Sequence, residues 1–456
     1  MGPSPLPSTD EVDAAVQRRL LGTPTLICLV VANMIGAGVF TTSGYAMASL
    51  EAPGRVMLGW WICGVWAISG AIAYGGLVRR LKLSGGEYLF LSRLVHPAIG
   101  FLAGWISVVA GFTAPIAVTA LSAATYAVGT DSPTAQWIPT IAMGIIVIAT
   151  GIHLVGLHWG ARAQNMVVGV KLIMIVVLLL WIFVGTPRSA WHAPPEWLPP
   201  FSGIPQDGRQ WMALLGAMSW IALSYTGFNA AIYVAGATKV SGDRVAWSMV
   251  LATMLVTAIY LLLNCAFVYG PPPERIAGKA DVAAIAAGAL GGHALALLVR
   301  VTIVLAMLSS VFSLLLAGPQ VYTQMAKDGV MPAVLAAADG HPPRAATLLQ
   351  AVLSIVCVLL ATLPQLISYL GLTLSACGAL TVASLWWIRH RLPHAAPIRW
   401  GESVALMLYL VITALILYGS YGEHPAGFRA MLVTFLSGGV LYVLGSWWDA
   451  RRRRLN

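Results

Sequence analysis

Two short stretches place polar chemistry inside otherwise apolar runs. Val31-Ala32-Asn33-Met34-Ile35-Gly36-Ala37-Gly38-Val39-Phe40 lies in the middle of the first hydrophobic run, with Gly36 and Gly38 bracketing one small residue. Glycine costs a helix roughly 1 kcal/mol relative to alanine. In lipid, freed N–H and C=O groups have no water to bond, so a break survives only where they line a cavity or hold a ligand. A half-helix beginning near Gly38 aims its positive end into the membrane centre, and the expected guest is a carboxylate. In the second stretch, residues 217–236, Ser224, Tyr225, Thr226, Gly227 and Asn229 interrupt another apolar run near its middle. Either glycine alone also reads as a packing contact between helices. Two breaks in register argue for paired half-helices.

The elements that must carry these stretches follow from composition. The chain has 456 residues, is 59% hydrophobic and only 9% charged, where a soluble protein carries about 25% charged residues. These values describe an all-α polytopic membrane protein. A span needs about 20 apolar residues. Twelve are expected, near 23–50, 55–78, 86–128, 134–156, 162–185, 209–237, 243–270, 293–325, 345–362, 364–388, 402–420 and 427–448. The third and eighth are too long to stand perpendicular, and are expected to tilt or to extend past the bilayer. The two breaks fall in spans 1 and 6. They correspond if spans 1–5 and 6–10 are repeats, the pattern of a transporter built from inverted repeats.

The formal charge of +10 does not point to nucleic acid, because the basic residues sit in short loops. With the N-terminus inside, 18 of the 26 lysines and arginines fall on the inner side and 6 on the outer, with Lys171 and Arg300 inside spans. That bias predicts both termini in the cytoplasm and an even number of spans. The first span is expected to act as its own insertion signal, since residues 1–17 are polar. The outer segment 185–209 is rich in proline and tryptophan, including Trp191 and Trp197, and reads as an interfacial belt. Trp447 and Trp448, followed by Arg451 to Arg454, read as a topology anchor at the inner surface, with contact to anionic lipid as the alternative. The five cysteines all lie in apolar spans without a C-x-x-C pair, and His153 and His158 are not at metal-ligand spacing. Neither a disulfide framework, a metal nor a cofactor is expected. No Ser/His/Asp set, zinc spacing or nucleotide loop points to an enzyme.

The chain resembles the amino acid/polyamine/organocation transporter family. Residues 34–40 look like its span-1 motif. Ser84-Gly85-Gly86-Glu87-Tyr88, followed by Gly100-Phe101-Leu102-Ala103-Gly104-Trp105, resembles its entry into span 3. Tyr225-Thr226-Gly227-Phe228-Asn229 is similar to its span-6 break, and residues 322–332 are similar to its loop after span 8. The resemblance implies a LeuT-type fold of 12 helices with broken helices 1 and 6. Its parts would be a cytoplasmic tail (1–22), a first five-helix repeat (23–185), a second, inverted one (209–388), helices 11 and 12 (389–448) and a basic cytoplasmic tail (449–456). It implies an amino acid substrate in the cell membrane, of a bacterium by the absence of long loops. Carried over, the N–H groups around Ala37, Gly38 and Val39, beside Ile35 and Gly36, would hold the carboxylate. The carbonyls of Met34, Leu223, Ser224 and Thr226 would hold the ammonium. Thr113 and Phe112 on span 3, with Gly227 and Phe228, would line the pocket.

Lys171 matches a span-5 lysine that, in several members of that family, stands where sodium binds in sodium-coupled relatives. Proton coupling, a fixed structural cation in an exchanger, and snorkelling remain open for it. Arg300 is expected to snorkel to the outer interface. Glu87, which opens span 3 in this reading, is either a stabilised helix N-terminal carboxylate or a gate. Trp220 and Tyr225 are further gate candidates, since Leu223 replaces an aromatic residue common in relatives. Gly76, Ala237 and Gln320 stand where the family carries two acids and one base near the inner side. Their loss together avoids an unpaired buried charge, and reads as a loosened inner gate or as a subfamily with other gate contacts. No acid appears mid-span in spans 1, 3, 6, 8 or 10, which favours a neutral substrate over a cation. The expected activity is secondary active amino acid transport, with an amino acid or polyamine exchanger and a non-transporting amino acid sensor as rivals.

Overall fold

A computed structural model describes residues 22–81, 86–155, 161–194, 203–238, 240–327, 331–336 and 343–455. Residues Ser84 and Gly85 of the span-3 entry motif, Asp328 to Val330 of the loop motif, Trp197, His158 and most of the N-terminal tail lie outside them. Regular structure among the described residues is helical. Among the described residues, ten helical segments are long and apolar enough to cross a membrane, and the shorter apolar helices Gly169–Gly185 and Arg344–Leu360 accompany them. The chain is a multi-pass membrane protein.

The first span is two helices, α1 (Thr23–Met34) and α2 (Ala37–Leu50). Ile35 has ψ 91° and Gly36 has φ −123° and ψ −159°, so two extended residues separate them. α3 (Pro53–Arg80) starts on a proline, whose missing N–H costs nothing at a first turn. The expected third span is instead divided. α4 (Gly86–Leu94) is a separate short helix, and α5 (Pro97–Ile106) begins anew at Pro97. His96 is held extended before that proline, as sterics demand. A π-helical turn, Ser107–Thr113, joins α5 to α6 (Ala114–Val128). α7 (Ile138–Leu154) and α8 (Ala161–Leu180) follow.

α9 (Gly208–Tyr225) is capped by Asp207, whose carboxylate accepts from the Gln210 N–H at 2.8 Å. It stops at Thr226, which is extended (φ −61°, ψ 153°), and Gly227 follows at φ +98°. That conformation costs any other residue a strained backbone. The chain resumes as a 3₁₀ helix, Ala230–Ala237. Next come α10 (Gly242–Tyr269) and the 46-residue α11 (Val282–Lys327), kinked at Gly292. α12 (Arg344–Leu360), α13 (Leu363–Ala383), α14 (Trp400–Glu423) and α15 (Pro425–Leu455) complete the chain. α10 packs along α3, α9 lies between α2 and α14, and α11 lies on α6. The core centres on the two broken segments: Met34, Ile35, Val39, Ala222, Tyr225 and Phe228 are all buried.

Candidate functional site

The two breaks meet. A Cβ at Gly227 would stand 2.9 Å from the carbonyl carbon and oxygen of Asn33, and one at Gly38 would stand 2.5 Å from Ser224 Oγ and 3.0 Å from Ser224 Cα. Glycine at both positions is therefore what allows backbone against backbone. One turn past Gly38, Thr42 Oγ1 lies 3.4 Å from Ser224 Oγ. Beside Gly36, by contrast, a Cβ would meet nothing within 4 Å. Open space borders the extended residues.

Both kinds of backbone group are present at the junction. α2 begins with no side-chain cap, so its first N–H groups, at Ala37, Gly38 and Val39, have no intrahelical partner. On the acceptor side, the Tyr260 hydroxyl of α10 lies 2.5 Å from the carbonyl oxygen of Met34 and 2.9 Å from that of Ser224. One O–H carries one hydrogen, so the two carbonyls share it and are held facing one point. The Leu223 carbonyl is occupied locally by the Thr226 hydroxyl (2.7 Å) and N–H (3.1 Å). The Lys171 ammonium, buried on α8, donates to the carbonyl of Ile35 between the half-helices. It is thus tied to the break itself rather than to an interface.

The other expected site residues are dispersed. Thr113 ends the π-helical turn. Its hydroxyl lies 2.8 Å from that of Tyr322, and its carbonyl accepts from Ser354 at 3.0 Å. These bonds tie it to α11 and α12, not to the breaks. Phe228 packs edge-on against Trp66 and Tyr74. Tyr225 is fully buried against Trp60 and Tyr260, and its hydroxyl donates to the Trp60 carbonyl at 3.0 Å, which leaves it no free edge to swing. Trp220 donates to the Pro364 carbonyl at 3.1 Å, and its ring lies 4.2 Å from that of His424. Burial pulls His424, in the turn after α14, down to about 4.

Glu87 does not open span 3. It stands on α4, and its carboxylate accepts from Tyr74 at 2.9 Å, Asn229 at 2.7 Å and Tyr233 at 2.6 Å. It so ties α4 to α3 and to the second half of the broken span. Arg300 does not snorkel free either. It bonds Asp281 at 2.7 Å and the Tyr126 carbonyl at 3.1 Å, because the buried Asp281 carboxylate, which also accepts from Thr130, needs a counter-charge. At the end where α3 finishes, Glu402 accepts from Arg79 and Arg80.

Sequence reasoning missed Tyr260, Asp281 and Glu402. Tyr260 is one aromatic residue in an apolar run, with no local signal. Asp281 is a lone acid before an apolar run. Glu402, three residues after Arg399, had the spacing of an N-terminal cap, and its carboxylate does accept from the Arg399 N–H at 3.0 Å. A crevice of about 230 Å³ between α8 and α11, reaching Phe40 of α2, is lined mainly by apolar residues such as Leu298. Its Thr302 hydroxyl already donates to the Leu298 carbonyl at 2.6 Å, and no charged side chain lines it to pair with a zwitterion.

A family model described as amino acid permease matches residues 21–443. The chain is similar to the rat Large neutral amino acids transporter small subunit 2, with 22% identity over 96% of this chain and 83% of the relative. It is similar to the human Asc-type amino acid transporter 1, with 23% identity over 95% of this chain and 83% of the relative. A mouse b(0,+)-type amino acid transporter 1 matches at 24% identity over 60% of this chain and 56% of the relative.

Proposed function

This chain belongs to the amino acid permease family, and from that premise we propose that it is a secondary active transporter moving a neutral amino acid across the cell membrane by alternating access. One observation carries the reading. The two breaks put uncapped N–H groups and inward-facing carbonyls side by side, next to open space at Gly36. A zwitterion needs both. The carboxylate sits on the N–H groups of Ala37, Gly38 and Val39. The ammonium takes the carbonyls of Met34 and Ser224 and displaces the Tyr260 hydroxyl from them. Thr226 and Gly227 shape the second break. Among the described residues the carboxylate that reaches a break, Glu87, is taken up by Tyr74, Asn229 and Tyr233, and no carboxylate bonds the residues assigned to the substrate, which supports a neutral substrate over a cationic one. The names of the similar proteins above agree with an amino acid.

In this reading the helices form two inverted five-helix repeats (23–185 and 209–388) followed by two further helices, with both termini cytoplasmic. Lys171 couples transport to protons, since its ammonium holds the carbonyl between the half-helices and its neutral form would hold it less firmly. Glu87 and Trp220 lie at contacts that opening must rearrange. The test is uptake of labelled amino acids by purified protein in proteoliposomes, with and without an inward proton gradient. Accumulation of a neutral amino acid with the gradient alone is expected. Uptake that requires unlabelled amino acid inside would replace symport by exchange, and binding without flux would replace transport by sensing.

A further inference from the structure

Where α3 and α4 both end, a cavity of about 330 Å³ is lined by Leu81, Arg93, Leu94, Arg391 and Leu392. Arg93 stands in the last turn of α4, and Arg391 ends the short helix Ile388–Arg391. The two arginines are exposed over a wall of three leucines. Among the described residues, neither guanidinium has a carboxylate within ion-pair distance. Arg391 spends one N–H on the Val95 carbonyl at 3.0 Å, and four of its five donors remain. The contrast lies close by: Arg79, Arg80 and Arg399 share Glu402 and Asp243.

Two like charges lining one pocket repel unless an anion lies between them. Trp386 and Trp387, on the turn before Arg391, are 47% and 48% exposed, which marks the depth of the membrane–water interface. An anion held there against an apolar wall has the chemistry of a phosphate carried on an acyl chain. We propose that this pocket binds an anionic phospholipid, its phosphate between Arg93 and Arg391 and its chain along Leu81, Leu94 and Leu392. Basic pockets between membrane helices hold such headgroups. The other end of α4 carries Glu87, bonded to Tyr74, Asn229 and Tyr233. A lipid at Arg93 therefore steadies the helix that fastens the second broken segment to α3. This effect on flux rests on the transport reading, whereas the binding does not.

The experiment titrates the detergent-purified full chain with phosphatidylglycerol or phosphatidylcholine and counts bound lipid by native mass spectrometry. The double variant Arg93→Gln, Arg391→Gln is expected to bind its tightest phosphatidylglycerol about 30-fold more weakly, from the usual contribution of two interfacial arginines. Phosphatidylcholine binding should not change. Arg93→Lys with Arg391→Lys should keep most of the binding, which separates charge from folding. Equal phosphatidylglycerol binding by wild type and the glutamine variant overturns the proposal. Displacement of the lipid by millimolar inorganic phosphate overturns the lipid assignment in favour of a free anion. Absence of amino acid uptake with this lipid pattern intact would remove the transport reading and leave the site standing.

Discussion

Replacing Gly227 by alanine loads two separate costs on one atom. The residue has φ +98°, where a side chain strains the backbone, and the new Cβ would lie 2.9 Å from the Asn33 carbonyl carbon and oxygen and 3.2 Å from Met34 N. These are backbone atoms and cannot rotate away. The left-handed conformation costs about 1–2 kcal/mol, and overpacking a filled contact costs about 1–3 kcal/mol. Their sum, about 2–5 kcal/mol, is roughly a 30-fold to several-thousand-fold loss of any state in which the breaks touch. Gly38→Ala meets Ser224 Oγ at 2.5 Å and Cα at 3.0 Å with ordinary φ, so only the overpacking cost, about 1–3 kcal/mol, applies. Gly36→Ala meets nothing within 4 Å and keeps an extended backbone. Its methyl intrudes on the space assigned to substrate. The assay pairs thermal unfolding in detergent with uptake kinetics in proteoliposomes. Gly227→Ala should lower Tm and uptake together, Gly38→Ala should do so less, and Gly36→Ala should raise KM with Tm unchanged. Gly227→Ala within twofold of wild type in uptake at an unchanged Tm would refute the close approach. An equal fall in Tm for Gly36→Ala would refute the open space.

Lys171→Ala removes the donor from the buried Ile35 carbonyl, a loss of about 1–3 kcal/mol. Uptake should fall roughly 5- to 150-fold, and what remains should ignore the proton gradient; a residual uptake that still rises with the gradient would sink the coupling role. Arg300→Gln leaves the Asp281 carboxylate buried without its cation. With the arginine side chain 30% exposed, water offsets part of the loss, so about 1–3 kcal/mol is expected as a lower Tm. Adding Asp281→Asn should restore part of it, and no restoration would mean that the pair is not the cause. His424 is held from its ordinary 6.5 down to about 4, first by burial. Between those values the unfolded chain binds a proton that the folded chain refuses, so stability is full above pH 6.5 and declines as pH falls towards 4. Melts at pH 4.5 and 7.5 should show a smaller acid-induced drop in Tm for His424→Phe than for wild type; equal drops would assign the acid sensitivity elsewhere.

The features legible in the sequence are those that membrane burial makes expensive. Gly36, Gly38 and Gly227 stood out because a broken helix in lipid demands a reason, and Lys171 because a charge inside a span does. The partners of these residues were not legible. Tyr260, which gathers the Met34 and Ser224 carbonyls, is more than 200 positions from Met34 and resembles any packed aromatic ring. Arg300 looked free to snorkel because Asp281 lies in a loop, and only the fold brings the two together. The division at Pro97 was written locally, in the restriction that a proline puts on His96. The continuous apolar run masked it, and with it the separate helix that carries Glu87.

The absence of an acid at Gly76 has a structural answer that bears on the inner gate. A Cβ there would stand 3.2 Å from the Glu402 carboxyl carbon and 3.4 Å from Arg80 Nη1. Glu402, 2% exposed, binds Arg80 at 2.8 Å and also Arg79. The acid at this end of α3 is therefore supplied from α14, and a side chain at Gly76 would compete with it for the same space and the same arginines. In the proposed transporter, glycine at position 76 therefore does not by itself mean a loosened inner latch. Gly76→Glu should harm the protein, because two carboxylates about 4 Å apart repel by about 4 kcal/mol at an effective dielectric of 20. Gly76→Glu combined with Glu402→Gln should recover much of that loss, since one carboxylate again serves the two guanidiniums. Measured Tm and the ratio of exchange to net flux decide the matter. If Gly76→Glu alone left Tm intact and tightened exchange, Glu402 would not be the substitute acid, and the latch would need another carboxylate.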